Sequence, residues 1–381
     1  RRGGNRADRG DAQVFSDEFH DHEVIRREDA ARDHSETDHK DLSPEVVALI
    51  AFGNSTPELT MPLRYALGTL VFAFAALAQA EGYEAFNQSS LARAAALPAL
   101  GQARVLPEGV VESSVAVDWS NEFFMRSNAR EELTLDGETQ RLALRYRRGL
   151  GLGQGLEWSL ELPLLFSGGG VLDGPIENWH SLFGLPNSNR SDAPRNRHRL
   201  RYVRDGVTLV DVEEGSSGVG DVRLGAGWQL TEGWTLRALA QLPSGSKSQL
   251  SGGHAGAALW TDLALPLSAS GRFQLTLSAG ASVADKSGPL SAQQRPVVAV
   301  AGAVLKVPLF GALDGVVQVN GHSKLYKGST LAPLSDVGLP LLFGLRWPWG
   351  DLVFDVAVSE DPGVDASPDF GLLFGVKLKA D

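Results

Sequence analysis

From Val110 onward, apolar and polar residues alternate singly along most of the chain. The clearest case is Asp221 to Leu242. Val222, Leu224, Ala226, Trp228 and Leu230 share one face, and Arg223, Gly225, Gly227 and Gln229 share the other. After Thr231-Glu232-Gly233, the residues Trp234, Leu236, Ala238, Ala240 and Leu242 alternate with Thr235, Arg237, Leu239 and Gln241. Successive side chains leave opposite faces of a strand, so a period of two predicts a β-hairpin. Leu239 is the one apolar residue on the polar face. The pattern recurs at Val111–Trp119, Glu138–Arg148, Leu156–Leu164, Leu259–Leu267, Phe273–Val283, Val297–Val307, Leu313–Leu325, Leu339–Trp347, Leu352–Val358 and Phe370–Leu378.

The connections fall into two classes that alternate along the chain. Short ones lie near 149–154, 231–233, 268–271, 309–312 and 348–350. Longer polar ones lie near 121–137, 167–217, 244–253, 285–295, 326–336 and 359–368. Short turns at one end and long loops at the other are the arrangement of an outer-membrane barrel. Trp158, Trp228, Trp234, Trp347 and Trp349 flank the short turns on the apolar face, where a membrane strand places interfacial aromatics. The fold expected is therefore all-β: an up-and-down antiparallel transmembrane barrel over 110–381, apolar side to lipid and polar side to the lumen. The segment 167–217 contains a hairpin around Asp205-Gly206, a strong turn pair. Held outside the membrane as a long extracellular excursion between strands three and four, it leaves twelve strands; if it crosses, the count is fourteen.

Composition adds the compartment. The 381 residues contain no Cys and 43 Gly, and the net charge is −11. Thiolate chemistry is excluded, and the net charge argues against a nucleic-acid binder, which would show a basic patch or stripe. Met61 to Ala80 reads as a signal peptide, with Arg64, an apolar run from Tyr65 to Leu77 and the cleavage signal Ala78-Gln79-Ala80. Residues 1–60 are polar, hold four of the eight His and contain no Met. We read them as a spurious or disordered extension ahead of a start at Met61. Residues 81–109 lack a clean period and form a periplasmic lead-in or a plug.

The stretch Ser167 to Arg190 breaks the alternation and gathers Gly, Pro, acidic and aromatic residues. Glu161-Leu162-Pro163, Gly168-Gly169, Leu172-Asp173, Ile176-Glu177, Trp179-His180, Phe183-Gly184-Leu185-Pro186 and Arg190 stand here, with Leu135-Asp136-Gly137-Glu138-Thr139 upstream. On these motifs the mature chain resembles an uncharacterised family of proteobacterial outer-membrane proteins, described as a domain of unknown function. The resemblance implies secretion and a barrel and brings no activity. His180 with Asp173 or Glu177 and Ser181 supplies the residue types of a hydrolase triad, but no Gly-x-Ser-x-Gly elbow accompanies them. A structured loop folded over or into the barrel mouth is the reading we adopt, with Asp173, Glu177, Trp179, His180, Phe183 and Arg190 as loop or gate residues. Separation of His180, His198, His254 and His322 along the chain predicts no metal site, and no cofactor is expected. Oxygen ligands at Asp173 and Glu177 suit Ca²⁺ in kind, though a solvated acidic loop explains them as well. Arg195, Arg197, Arg199, Arg201 and Arg204 have the geometry to meet phosphates.

Inward-facing Arg141, Arg145, Glu157, Glu161, Arg223, Arg237 and Asp262 line the expected lumen. The pattern places Arg147 near Glu157 and Arg141 near Glu161 across the hairpin. The function expected is a narrow outer-membrane channel or uptake barrel for small or apolar solutes. A lipid-active enzyme and a structural barrel with a plugged lumen are the rivals. Expected partners are outer-membrane lipid, lipopolysaccharide and the barrel assembly machinery, with the protein a monomer.

Overall fold

The computed structural model describes residues 81–151, 155–185, 190–247, 252–361 and 363–380. The expected extension (1–60) and signal peptide (61–80) lie outside the described residues. Fifteen strands are present among those described: β1 (Val111–Ser127), β2 (Glu131–Leu150), β3 (Leu156–Gly168), β4 (Arg199–Arg204), β5 (Val207–Val212), β6 (Ser216–Val219), β7 (Arg223–Thr231), β8 (Trp234–Gln241), β9 (Gly256–Pro266), β10 (Gln274–Ala284), β11 (Val297–Pro308), β12 (Asp314–His322), β13 (Leu341–Trp349), β14 (Leu352–Glu360) and β15 (Phe370–Ala380). Two helices, α1 (Asp173–Phe183) and α2 (Ala332–Ser335), lie in the long connections.

Twelve strands form the wall: β1 to β3, then β7 to β15, each antiparallel to its neighbours. The barrel closes where β1 meets β15, in register from Val111 opposite Ala380 to Asn121 opposite Phe370. Closure removes the free edges that an open sheet would leave. The wall shows the predicted alternation. Outward residues such as Val115, Leu144, Leu345, Val356 and Phe374 are exposed, while Glu112, Arg147, Asp262, Gln318 and Lys377 are buried inside. The five tryptophans at the short turns are all exposed on the outer face, and Trp347 stacks on Trp349 with ring centroids 6.0 Å apart.

Two connections differ from the pattern-based expectation. The polar stretch 121–137 is strand for most of its length. β1 and β2 continue in unbroken register to Ser127 opposite Glu132. Their 17 and 20 residues far exceed the roughly 9–11 that span a bilayer, so this hairpin projects beyond the wall. The polarity is not a lack of structure: Glu122, Glu131 and Asp136 are buried and accept hydrogen bonds from Ser90, Tyr202 and Arg197. The excursion between β3 and β7 does not cross. Because β3 pairs with β2 only as far as Glu138 opposite Gly168, the edge of β2 above it is free. β4 takes that edge, from Glu131 opposite Arg204 to Asp136 opposite Arg199, and β5 pairs on β4. β6 pairs with the end of β3.

Candidate functional site

The barrel interior is occupied by the chain's own residues 82–106. Gly82 donates its amide to the Gly101 carbonyl at 2.7 Å, so the segment is doubled back on itself. Its outgoing arm starts near the short-turn end, where Arg346 donates to the Glu81 and Gly82 carbonyls. It climbs past Gln318 (from the Tyr83 amide, 2.6 Å), Asn320 (to the Ala85 carbonyl, 3.1 Å) and His322 (from the Asn87 side-chain NH2, 2.7 Å). These three wall residues alternate along β12, and the arm tracks that strand. A single 3-10 turn, Arg93–Ala95, forms the tip. The returning arm passes Asp262 (from Gly101 amide, 2.9 Å), Thr235 and Arg237 (to Gln102 carbonyl, 3.0 and 2.7 Å) and Glu157 (from Leu106 amide, 2.8 Å). Both arms therefore enter and leave by the short-turn end. In the Ala-rich stretch 91–100, which is mostly non-helical, Tyr326 donates to the Leu91 carbonyl at 2.7 Å and Arg223 to the Leu97 carbonyl.

Apolar residues complete the filling. Around the tip, Leu91, Ala95, Leu97 and Leu100 pack with Phe124, Leu133 and Leu135 of the β1–β2 projection, Tyr202 and Val210 of the β4–β5 hairpin, and Trp260, Val298 and Val300 of the wall. Lower down, Tyr83 and Ala85 pack on Val304, Val316, Leu342, Ala357 and Leu373. The space left is small: about 10 Å³ beside Leu91 and Tyr326, and about 30 Å³ beside Phe86 and Leu373. Those are the sizes of one water or two.

The predicted lumen residues all point into this interior. Arg141 spans Asp118 (2.6 Å) and Glu161, as the hairpin pattern required. Arg147 joins Glu112 (2.7 Å) and Glu157 (2.9 Å), and Arg237 joins Glu157 and reaches Asp262 at 3.5 Å. Arg223 donates to the Leu97 carbonyl and lies over Phe86, 4.2 Å from the ring centroid, and Arg141 lies 4.9 Å from the same centroid. Arg145 faces Glu84 of the inner segment at 2.9 Å. A buried charge is tolerable only when it is paired and hydrogen-bonded, and here the wall and the segment supply each other's partners. The sequence reading left plug and lead-in as alternatives for 81–109, and it missed Arg346, Asp355 and Lys377. The missed signal was the inward apolar set Val298, Val300, Val304, Val316, Leu342 and Leu373, residues that a water-filled lumen does not favour.

The loop candidates sit elsewhere. They were expected over or in the mouth; α1 lies instead against the outer flank of the barrel at the long-loop end. Its Ile176 and the neighbouring Leu172 pack on Phe370, with Trp119, Val358, Leu372 and Trp179 around them. By strand parity those wall residues face outward. Trp179 donates to Glu360 at 2.8 Å and stacks on Phe343, with ring centroids 6.4 Å apart. Asp173 is buried and accepts from Arg190 at 2.7 Å; Arg190 also binds Asp369 and lies 4.7 Å over Phe123. Glu177 pairs with Arg195. Phe183 is exposed and touches Trp179. The physical reason is chain direction: β3 ends at the rim beside an unpaired β2 edge, and the Trp119–Phe370 patch outside is apolar enough to hold the helix.

The triad does not assemble. His180 is buried beside Glu360 at 3.8 Å, whereas Ser181 is exposed on the next helical position; adjacent residues of a helix do not face each other. Asp173 is already engaged by Arg190 and by the Asn196 amide at 2.8 Å. Among the described residues no group of three His, Asp or Glu gathers to hold a metal. The arginines of the excursion are matched by acids: Arg197 with Asp136, Arg199 with Asp211 and Glu213, Arg201 with Glu132 and Arg204 with Glu131 and Asp205.

Residues 64–380 match the model of a family described as a protein of unknown function, DUF3187. The chain belongs to this family. The barrel of this DUF3187 chain is similar to an outer-membrane channel from Pseudomonas putida F1. The two are 13% identical, with 74% of this chain and 99% of that chain covered, at a TM-score of 0.50. Weaker likenesses reach a Ralstonia pickettii toluene transporter (11% identity, 72% and 90% covered, TM-score 0.34) and the CymD monoaromatic hydrocarbon channel (12%, 78% and 94%, 0.35). No curated protein matches the chain in sequence. At these identities the likeness concerns the fold: a twelve-stranded barrel of the outer-membrane type.

Proposed function

We propose that this protein is an outer-membrane channel for small solutes, closed in its resting state by residues 82–106. The observation that carries the reading is the path of that segment. It enters and leaves by one end, and it is held by side-chain hydrogen bonds and packing, with no wall strand paired to it among the described residues. It can therefore withdraw without breaking a strand of the barrel. The exposed tryptophans at the short turns set that end at a membrane boundary, and the short turns assign it to the periplasm. The segment then retracts toward the periplasm, and the β4–β5 hairpin and the long loops face outside. A polar wall of paired charges favours small polar solutes over apolar ones, because each exposed charge retains its water.

The absence of native Cys makes a direct test simple. Cysteines at Ala85 and Asn320, joined as a disulfide or by a short thiol cross-linker, pin the segment to β12. The pinned barrel should be electrically silent in planar bilayers, and it should conduct in steps after release. A folded barrel lacking 82–105 should conduct continuously. Silence in both the released and the shortened barrel would reject the channel.

A further inference from the structure

Ser114, Arg145 and Lys377 stand side by side. Ser114 of β1 is directly opposite Arg145 of β2 and directly opposite Lys377 of β15, so the three side chains share one level and one face. All point into the barrel toward the Glu84 carboxylate. Arg145 lies 2.9 Å from it, Lys377 lies 3.5 Å from it, and the Ser114 hydroxyl donates to it at 3.1 Å. Lys377 also reaches Glu81 at 3.8 Å. Side-chain exposure is 14% for Arg145, 5% for Lys377 and 7% for Glu84, so the ions are well removed from solvent.

Two features single this cluster out. Neighbouring interior cations hold acids of the wall itself: Arg346 grips Asp355 through two hydrogen bonds of 2.6 and 2.8 Å, and Arg147 holds Glu112 and Glu157. Among the described residues, Arg145 and Lys377 have only Glu84 and Glu81 within ion-pair distance. Their donors are also poorly used. Arg145 Nε and Nη1 and Lys377 Nζ meet no protein hydrogen-bond acceptor in directed geometry. A guanidinium fork binds a freely placed carboxylate through two parallel bonds, which Glu84, constrained by its backbone, does not achieve.

We propose that Ser114, Arg145 and Lys377 form a binding site for small carboxylate anions, occupied in the closed barrel by Glu84 as an internal surrogate. The inference rests on the channel reading above and names its solute class. Withdrawal of the segment, with Glu81 at its start, removes the two acids within ion-pair distance and leaves Arg145 and Lys377 side by side at one level of the lumen. A passing carboxylate takes the place of Glu84, and by doing so competes with closure.

Succinate is the probe. In detergent, Glu84→Gln protein should bind succinate about ten-fold more tightly than the parent by calorimetry, and adding Arg145→Gln and Lys377→Gln should abolish binding. Equal binding by parent and Glu84→Gln, or binding that survives loss of both cations, overturns the site. A second measurement does not depend on the stability of that variant. In the otherwise unchanged protein carrying Ala85→Cys, thiol labelling should accelerate in sodium succinate relative to sodium chloride of equal ionic strength, and an unchanged rate counts against the site. Conductance separates the two readings. A barrel that binds succinate here yet never conducts removes the channel and leaves an anion site. A barrel that conducts without succinate binding removes the site and leaves the channel.

Discussion

Leu239 is the one apolar residue on the inward face of β8, and it packs against the apolar cluster around the tip of the inner segment. Gly101 shows the same closeness from the segment's side. Its φ is +87°, and a Cβ added there would lie 2.5 Å from Val304 Cγ2. Gly101→Val therefore meets both backbone strain, about 1–2 kcal/mol, and a clash with the wall. The variant should keep its barrel, judged by unchanged far-UV circular dichroism, and open more often in bilayers; a closed-state lifetime like the parent's would contradict this. Asp361, in the loop after β14, gives a pH signature. Burial foremost, with Asp365 and Asp369 adding, raises its carboxyl to about 8, against hydrogen bonds from Ser367. A carboxyl whose folded pKa exceeds its unfolded value contributes stability fully below the unfolded pKa and loses it as pH rises through the folded one. Melting temperature should thus fall between about pH 4 and 8 through this group, and Asp361→Asn should flatten that part of the profile.

At the scale of elements, α1 is held on the flank by apolar packing and by ion pairs, of which those of Arg190 are central. It is 2% exposed and bridges Asp173 and Asp369. Removing it leaves two acids without their cation, and breaking a buried pair costs about 3–5 kcal/mol. Arg190→Ala should make the excursion cleavable by subtilisin while conductance of the released barrel stays as it was. A change in conductance would place α1 in the solute path after all. This element was only partly legible in the sequence. Its Gly, Pro and aromatic content announced a departure from strand, and Leu172, Ile176, Trp179 and Phe183 have helical spacing. Nothing in that spacing says whether an apolar helix face will find the mouth or the outside wall. The answer came from the free β2 edge and from the Trp119–Phe370 patch, which are assembled from residues some 250 positions apart.

For the whole molecule, the sequence by itself determined the barrel and the inward placement of Arg141, Arg145, Glu157, Glu161, Arg223, Arg237 and Asp262, whereas twelve strands and not fourteen was decided by β4 and β5 pairing on the projecting edge of β2. Strand periodicity is local: each residue's face follows from its neighbours two positions away, and the alternation of short and long connections follows from counting. Exposed tryptophans at the short turns were legible for the same reason. The contents of the lumen were decided only by the tertiary structure. The segment 82–106 has no period of its own, because its backbone is satisfied by side chains from β1, β3, β7, β8, β9, β12 and β13, strands spread over more than 200 residues. Whether Arg145 and Lys377 face water or Glu84 is likewise a property of the closed circle, since β1 and β15 become neighbours only when the ends of the sheet meet.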